Sequence, residues 1–284
     1  MKKALILGSA GMAGHIMKAY LGSKPDLSVI GVARSETPFA DVIIDVTNFT
    51  ALGDLINQHK PDYVINCIGV LVQKSADDLS HAILINSYLP HFLAGLGEKL
   101  GFKLIHISTD CVFSGKHGAY VENAFRDGDD NYARTKALGE VVNQNDLTIR
   151  TSIIGPELKT NGTGLLDWFF KQTGEIKGYN HAYWSGVTTL ELAKATYAFI
   201  NQEIAGLYNL CPINKISKFD LLQLFAKTWE TNISILAYAD YHVDKSLVCT
   251  RSDFSYTVPD YPVMLAELKD WMSDHADYYS HYRL

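Results

Sequence analysis

The sequence predicts an α/β fold, a doubly wound parallel sheet followed by a smaller C-terminal lobe. Three observations predict it. Short apolar runs alternate with helical stretches through the first half. A glycine-rich turn joins the first apolar run to the first helix. The alternation stops after Thr151, where Gly155, Pro156, Gly162 and Gly164 cluster. Continuous apolar strands separated by helices are buried on both faces, as in a parallel sheet under two helical layers.

Taken in order, Lys3–Gly8 reads as a strand ending in glycine, Met12–Leu21 as a helix, Ser28–Ala33 as a second strand and Val42–Ile44 as a short third. Thr50–His59 is helical, and Pro61 with Asp62 leads into a strand at Tyr63–Cys67. Leu79–Leu100 carries a long helical pattern, Phe102–Ile107 a strand, Asn131–Asn143 a helix and Leu147–Thr151 a strand. Further helices are expected at Leu165–Gln172, Thr189–Asn201, Lys218–Trp229 and Pro262–Ser273. Residues 1–155 are therefore assigned to a nucleotide-binding domain. Residues 156–284 are assigned mostly to a second lobe, with some segments returning to the first.

Composition narrows the partners. Of 284 residues 47% are apolar, enough for a full core, and the formal net charge is -6. With no block of Lys and Arg, neither nucleic acid nor an anionic membrane is expected as a partner. No run approaches the ~20 apolar residues that span a bilayer. The short apolar start runs straight into the glycine motif, so it does not read as a signal peptide; a soluble, cytoplasmic protein is expected. Cys67, Cys111, Cys211 and Cys249 are isolated and read as free thiols. His15 and His181 lack ligand spacing, and no metal site is expected.

Gly8-Ser9-Ala10-Gly11-Met12-Ala13-Gly14 follows the first strand and opens the first helix. Gly8 permits the tight turn, Gly11 lets a pyrophosphate approach, and Gly14 lets the helix pack against the strand. The helix N-terminus offers unpaired N–H groups to phosphate, so the reading is a Rossmann dinucleotide site. The spacing is GxxGxxG. The second strand ends in Arg34-Ser35 rather than in an acid; a guanidinium there pairs with a 2′-phosphate and favours NADP, with NAD left open. Asp45 and Val46, after the third strand, are placed to meet the adenine edge.

Tyr132 and Lys136 stand four residues apart and share one helical face. An ammonium beside a phenol stabilises phenolate and is expected to lower the tyrosine from its ordinary value near ~10. Lys136 can also reach ribose hydroxyls. Ser108-Thr109-Asp110 follows an apolar strand, and strand C-termini are where ligands bind in such sheets. Either Ser108 or Thr109 can hold a substrate oxygen.

Four segments together resemble the dTDP-4-dehydrorhamnose reductase family, a branch of the extended short-chain dehydrogenases. They are GxxGxxG, Asn66-Cys67-Ile68-Gly69, Ser108-Thr109-Asp110-Cys111-Val112-Phe113-Ser114-Gly115, and Tyr132-Ala133-Arg134-Thr135-Lys136-Ala137-Leu138-Gly139-Glu140. The resemblance is strong over residues 1–155 and weaker beyond. It implies catalysis by Thr109, Tyr132 and Lys136. The cofactor set expected on both grounds is Gly8, Gly11, Met12, Gly14, Arg34, Ser35, Asp45, Val46, Cys67, Ile68, Gly69, Asn86, Tyr132 and Lys136. The implied activity is hydride transfer from NAD(P)H to a keto carbon, C4, of a nucleotide-diphospho-6-deoxysugar, for cell-surface polysaccharide synthesis.

Two departures bear on chemistry. Related dehydratases carry Asp-Glu after the catalytic threonine, and loss of water needs that acid–base pair. Here Asp110 is followed by Cys111, which argues against dehydration. Ile153-Ile154-Gly155 stands where an aromatic residue is frequent, so the sugar pocket is expected to differ. In the second lobe, Trp184 is a candidate pocket wall and Lys245 and Arg251 are candidate diphosphate partners; Asp110 and Cys111 join them on the substrate side. The alternatives are a sugar-nucleotide epimerase, which retains its nicotinamide, and a cofactor-binding regulatory subunit without catalysis, as in methionine adenosyltransferase. A homodimer is compatible with the sequence.

Overall fold

The computed structural model describes residues 1–254 and 256–282. Its elements are β1 (Lys2–Leu7), α1 (Met12–Gly22), β2 (Leu27–Ala33), β3 (Val42–Ile43), α2 (Phe49–His59), β4 (Tyr63–Asn66), α3 (Val72–Asp77), α4 (Leu79–Ala82), α5 (Leu89–Leu100), β5 (Lys103–Thr109), α6 (Asn131–Leu138), β6 (Leu147–Thr151) and β7 (Ile153–Ile154). There follow α7 (Leu165–Phe170), β8 (Glu175–Trp184), β9 (Val187–Thr188), α8 (Thr189–Gln202), β10 (Gly206–Asn209), β11 (Ile216–Ser217), α9 (Lys218–Thr228), β12 (Ser234–Asp244) and α10 (Tyr261–Asp274).

Seven parallel strands form the main sheet in the order β10-β6-β5-β4-β1-β2-β3. The chain leaves β1 toward β2 on one side and returns to β4 on the other, so the crevice beyond their C-terminal ends is the switch point of the fold. Period-2 alternation divides each strand between two cores. Ala4, Ile6, Ile65 and Ile105 face one cluster. Leu5, Leu7, Val64 and Leu104 face the other. Each of these Leu, Ile and Val side chains contributes about 1.5–3 kcal/mol by burial.

The long pattern at 79–100 is continuous, but its middle, Ile83–Tyr88, winds as a π-helix between α4 and α5. The extra residue per turn brings Asn86 inside. Its Oδ1 accepts the Val70 N–H at 2.8 Å, and its Nδ2 donates to Val70 O at 3.0 Å and Thr135 Oγ1 at 3.1 Å. The loop after β4 is thereby tied to the helix that carries Tyr132.

Helix α6 is shorter than expected and stops at Leu138. Beyond its C-cap Gly139, the Glu140 carboxylate is drawn into the core by Arg150 of β6, which the helical pattern could not reveal. Strand β5 is longer than expected and includes Ser108 and Thr109.

The second half returns to the first. Strand β10 extends the main sheet beside β6, and α8 packs on α1. The small sheet β11-β8-β12 stands apart, with β8 and β12 parallel and β11 antiparallel to β8. No helix among the described residues is long and apolar enough to cross a membrane.

Candidate active site

The glycine turn sits at the C-terminal end of β1. Gly8 has φ +80, and a Cβ there would lie 2.8 Å from Ile68 Cγ1. A Cβ on Gly14 would lie 2.1 Å from the Gly8 carbonyl, so α1 can approach β1 only with glycine. Gly11 is the N-cap of α1 and is exposed, and no side chain caps its first turn. The N–H groups opening α1, from Met12 onward, are thus available to an anion. These are the features a dinucleotide diphosphate requires, and the residues present fit it.

Around this turn, Cys67 and Ile68 are half-buried and Gly69 is exposed at the end of β4. Arg34 and Ser35 are exposed after β2, and no ion pair of Arg34 occurs among the described residues. Asp45 is exposed and Val46 buried after β3. Hydrogen bonds from Thr47 hold Asp45 below its ordinary value, with Arg34 contributing. Asn86 lies fully buried, spent on Val70 and Thr135.

Thr109 ends β5 and Tyr132 opens α6, whose N-cap Asp130 accepts the Ala133 N–H at 2.7 Å. The Thr109 hydroxyl lies beside the Tyr132 phenol and favours its ionised form, yet burial and the neighbouring Cys111 outweigh it and push the phenol upward. Lys136 does not turn to the phenol. Its Nζ donates to Ile107 O at 2.7 Å and lies 3.2 Å from His106 Nε2. Burial pulls Lys136 down to about 8. The expected lowering of Tyr132 by Lys136 is therefore not what this geometry gives. Desolvation governs both groups.

Hydrogen bonds distinguish Ser108 from Thr109. Ser108 Oγ donates to Glu140 Oε1 at 2.8 Å. Glu140 also receives Arg150 Nε at 2.8 Å and Arg150 Nη2 at 2.7 Å, with Arg126 Nη1 at 2.9 Å. Ser108 is part of this buried ion-pair network, leaving Thr109 as the hydroxyl beside Tyr132.

Asp110 is buried and accepts from Thr109 Oγ1 at 3.2 Å. Burial raises its carboxyl, opposed by the charges of Lys245 and Lys218. Burial likewise pushes the Cys111 thiol up to about 12, so it faces the site as a neutral group. Lys218 went unnoticed in the sequence. It is half-buried at the first turn of α9, where the helix dipole disfavours a cation, and its Nζ lies 5.1 Å from the Trp184 ring centre. Burial lowers it to about 8 while Asp110 and Cys111 oppose. Only its neighbourhood in space could have marked it.

Two other expectations change. Trp184 is 3% exposed and belongs to the core, where its ring meets Tyr261; Lys218, above it, presents the polar surface instead. Arg251 is not at the site. It is engaged with Asp253 and with the carbonyls of Ala205 and Leu207 at the start of β10, the end of the sheet opposite the glycine turn. No metal-binding cluster occurs among the described residues.

The C-terminal aromatic segment also reaches the glycine turn. His15 Nδ1 donates to Gly11 O at 2.8 Å, and its Nε2 accepts from the Tyr279 hydroxyl at 2.8 Å. Tyr278 packs edge-on against Phe39, beyond Arg34, at 4.8 Å.

Known proteins resemble this chain in sequence and fold. A dTDP-4-keto-6-deoxy-D-glucose reductase of Streptomyces niveus is 29% identical over 138 residues, 48% of this chain and 45% of that protein. The chain spans about half the length of the curated relatives it first matches. A hypothetical dTDP-4-dehydrorhamnose reductase from Sulfolobus tokodaii superposes with a TM-score of 0.75 at 25% identity, covering 87% of this chain and 92% of that one. A dTDP-4-dehydrorhamnose reductase from Bacillus anthracis, solved in complex with NADP, gives a TM-score of 0.82 at 19% identity, covering 95% and 99%. The family model described as RmlD substrate binding domain matches residues 1–254, and the chain belongs to that family.

Proposed function

We propose that this chain is an NAD(P)H-dependent reductase of a keto group, C4, on a nucleoside-diphospho-6-deoxysugar, with NADP preferred. In this reading residues 1–155 hold the cofactor and residues 156–284 mostly the substrate, and the product serves cell-surface polysaccharide synthesis. The observation that carries the reading is the meeting of Thr109 and Tyr132 at the end of the sheet that also carries the glycine turn, with Lys136 on the helix of Tyr132. The names of the relatives support the same chemistry.

The nicotinamide supplies the hydride when bound. Gly8, Gly11, Met12 and Gly14 hold the diphosphate and Arg34 with Ser35 the adenosine phosphate. Cys67, Ile68 and Gly69 form the wall at the end of β4. Thr109 holds the substrate oxygen. Tyr132, kept protonated by burial, gives its proton to the alkoxide as it forms. Asp110, Cys111, Lys218 and Lys245 stand on the substrate side. The two lysines are the cations there for an anionic substrate.

The test is a panel of 4-keto sugar nucleotides, the corresponding free sugars and simple aldehydes, followed by NADPH absorbance. Sugar nucleotides should be consumed and the others not, because binding energy from the remote nucleotide positions the keto carbon. Equal efficiency on free sugars would overturn the substrate assignment. Tight NADPH binding without turnover on any member would favour a regulatory subunit, and retention of the nicotinamide through the cycle an epimerase.

A further inference from the structure

Behind Lys136 lies a chain of polar groups whose proton positions are dictated by geometry. His106, on β5, is fully buried. Its Nδ1 is 3.2 Å from Asn66 Nδ2, and its Nε2 is 3.2 Å from Lys136 Nζ. The Asn66 amide is oriented independently, because its Oδ1 accepts the Ile68 N–H at 3.1 Å. An amide nitrogen only donates, so Nδ1 of His106 must be the lone-pair nitrogen. The ring proton then sits on Nε2 and points at Lys136. An ammonium has three donors and no acceptor; only a neutral amine can receive that proton. The ammonium form would oppose N–H to N–H at one end of the chain or cost the Ile68 bond at the other. In a buried site an unmade bond of this kind is expensive.

We propose that Asn66 and His106 form a tautomer lock that stabilises the neutral amine of Lys136, so that this lysine exchanges a proton during turnover instead of standing as a fixed charge. His106 is thus a positioning residue acting through Lys136. The groups facing Lys136 are Glu140 beyond the end of its helix, Cys67 after β4 and His106 on β5. Those facing His106 are Lys136 and His91 of α5. Glu140 is held by Arg150 and Cys67 is a neutral thiol, so neither cancels the effect of the lock. Burial acts in the same direction and brings Lys136 to about 8. In the proposed reduction Tyr132 loses its proton at every turnover; Lys136, one helical turn along α6, supplies a replacement as the ammonium, becomes the neutral amine that the lock accepts, and regains its own proton from solvent. This role rests on the reductase reading; the lock itself does not.

The test is nitrogen NMR of the histidine ring in the native chain, with His106 assigned by difference from His106→Leu. Above pH 8, where Lys136 is the neutral amine, Nδ1 should report a lone pair and Nε2 a bound proton, and Lys136 should titrate near 8 rather than 10.5. In Asn66→Asp the carboxylate accepts from Nδ1, so the proton should move there and the Lys136 midpoint rise by about one unit or more. The high-pH limb of the turnover profile should rise with it. A proton on Nδ1 in the native chain above pH 8, or an unchanged tautomer in a folded Asn66→Asp at the same pH, would overturn the lock. A tautomer as expected in a chain that never oxidises NADPH supports the lock and counts against the reductase reading alone.

Discussion

Ser108 Oγ lies 2.8 Å from Glu140 Oε1, and the same carboxylate pairs with Arg150, which is 1% exposed. The bond joins the last turn of β5 to the segment after α6 and so fixes the approach of Thr109 to Tyr132. One hydroxyl of the Ser-Thr pair is spent on the ion-pair network, and its neighbour, beside Tyr132, is the one proposed for chemistry.

Substitutions should separate these roles. Ser108→Ala removes a hydrogen bond to a charged group and should cost about 1.5–3 kcal/mol of stability. Glu140→Ala leaves Arg150 buried without its partner and should cost about 3–5 kcal/mol. Thr109→Val loses the bond that its hydroxyl accepts from the Cys111 N–H and should cost about 1 kcal/mol, with a larger loss of turnover than that cost explains. Urea unfolding and steady-state rates measured on the same preparations decide the matter. Lost turnover in a fully stable Ser108→Ala would reverse the assignment.

Tyr132→Phe keeps the ring and removes only the proton donor. Turnover should fall by about 10²–10⁴-fold, the usual worth of general acid catalysis, while NADPH affinity stays close to native. Near-normal turnover would exclude Tyr132 as the acid.

Arg34 is exposed and without an ion pair among the described residues, and Asp45 feels its charge without pairing with it. A charge-assisted bond to a 2′-phosphate is worth about 1.5–3 kcal/mol, on the order of ten- to a hundredfold in affinity. Arg34→Ala should weaken NADPH by that factor and leave NADH unchanged. Equal affinity of the native chain for both cofactors would contradict this role.

The parts of the site legible in the sequence are those written locally. Gly8, Gly11 and Gly14 fall within one turn, and Tyr132 and Lys136 within one helical repeat. Strand β6 and the helix starts were legible for the same reason, since apolar runs and caps are short-range signals. The parts not legible depend on residues far apart in the chain. Arg150 reaches Glu140, which shortens α6, and His106 meets both Asn66 and Lys136. Lys218 looked like an ordinary helix residue until α9 placed it over Trp184. Arg251 was misplaced because a sequence does not say which end of a sheet a loop visits. Trp184 was correctly seen as aromatic and apolar, but periodicity could not distinguish a pocket wall from the core beneath it.

His15 offers a measure of how firmly the C-terminal segment holds the glycine turn. Its Nδ1–H donates to Gly11 O in either charge state, but the bond its Nε2 accepts from Tyr279 requires the neutral ring. Burial lowers the ring from 6.5 to about 4. Above pH 6.5 it is neutral in both folded and unfolded chains, and the full stability is present. Below 6.5 the unfolded chain takes up a proton that the folded chain refuses, so stability falls until the folded ring titrates near 4. The gap corresponds to about 3 kcal/mol in all, of which about 2 kcal/mol is lost by pH 5. Other groups titrate over the same range, so the informative quantity is the difference between native protein and His15→Asn. Urea unfolding at pH 7 and pH 5 should show the native chain losing about 2 kcal/mol more than the variant. Tyr279→Phe should lower stability by about 1 kcal/mol at pH 7, the worth of one hydrogen bond. Equal acid sensitivity of the native chain and His15→Asn would mean that His15 is protonated in place and that Tyr279 does not anchor the turn through it.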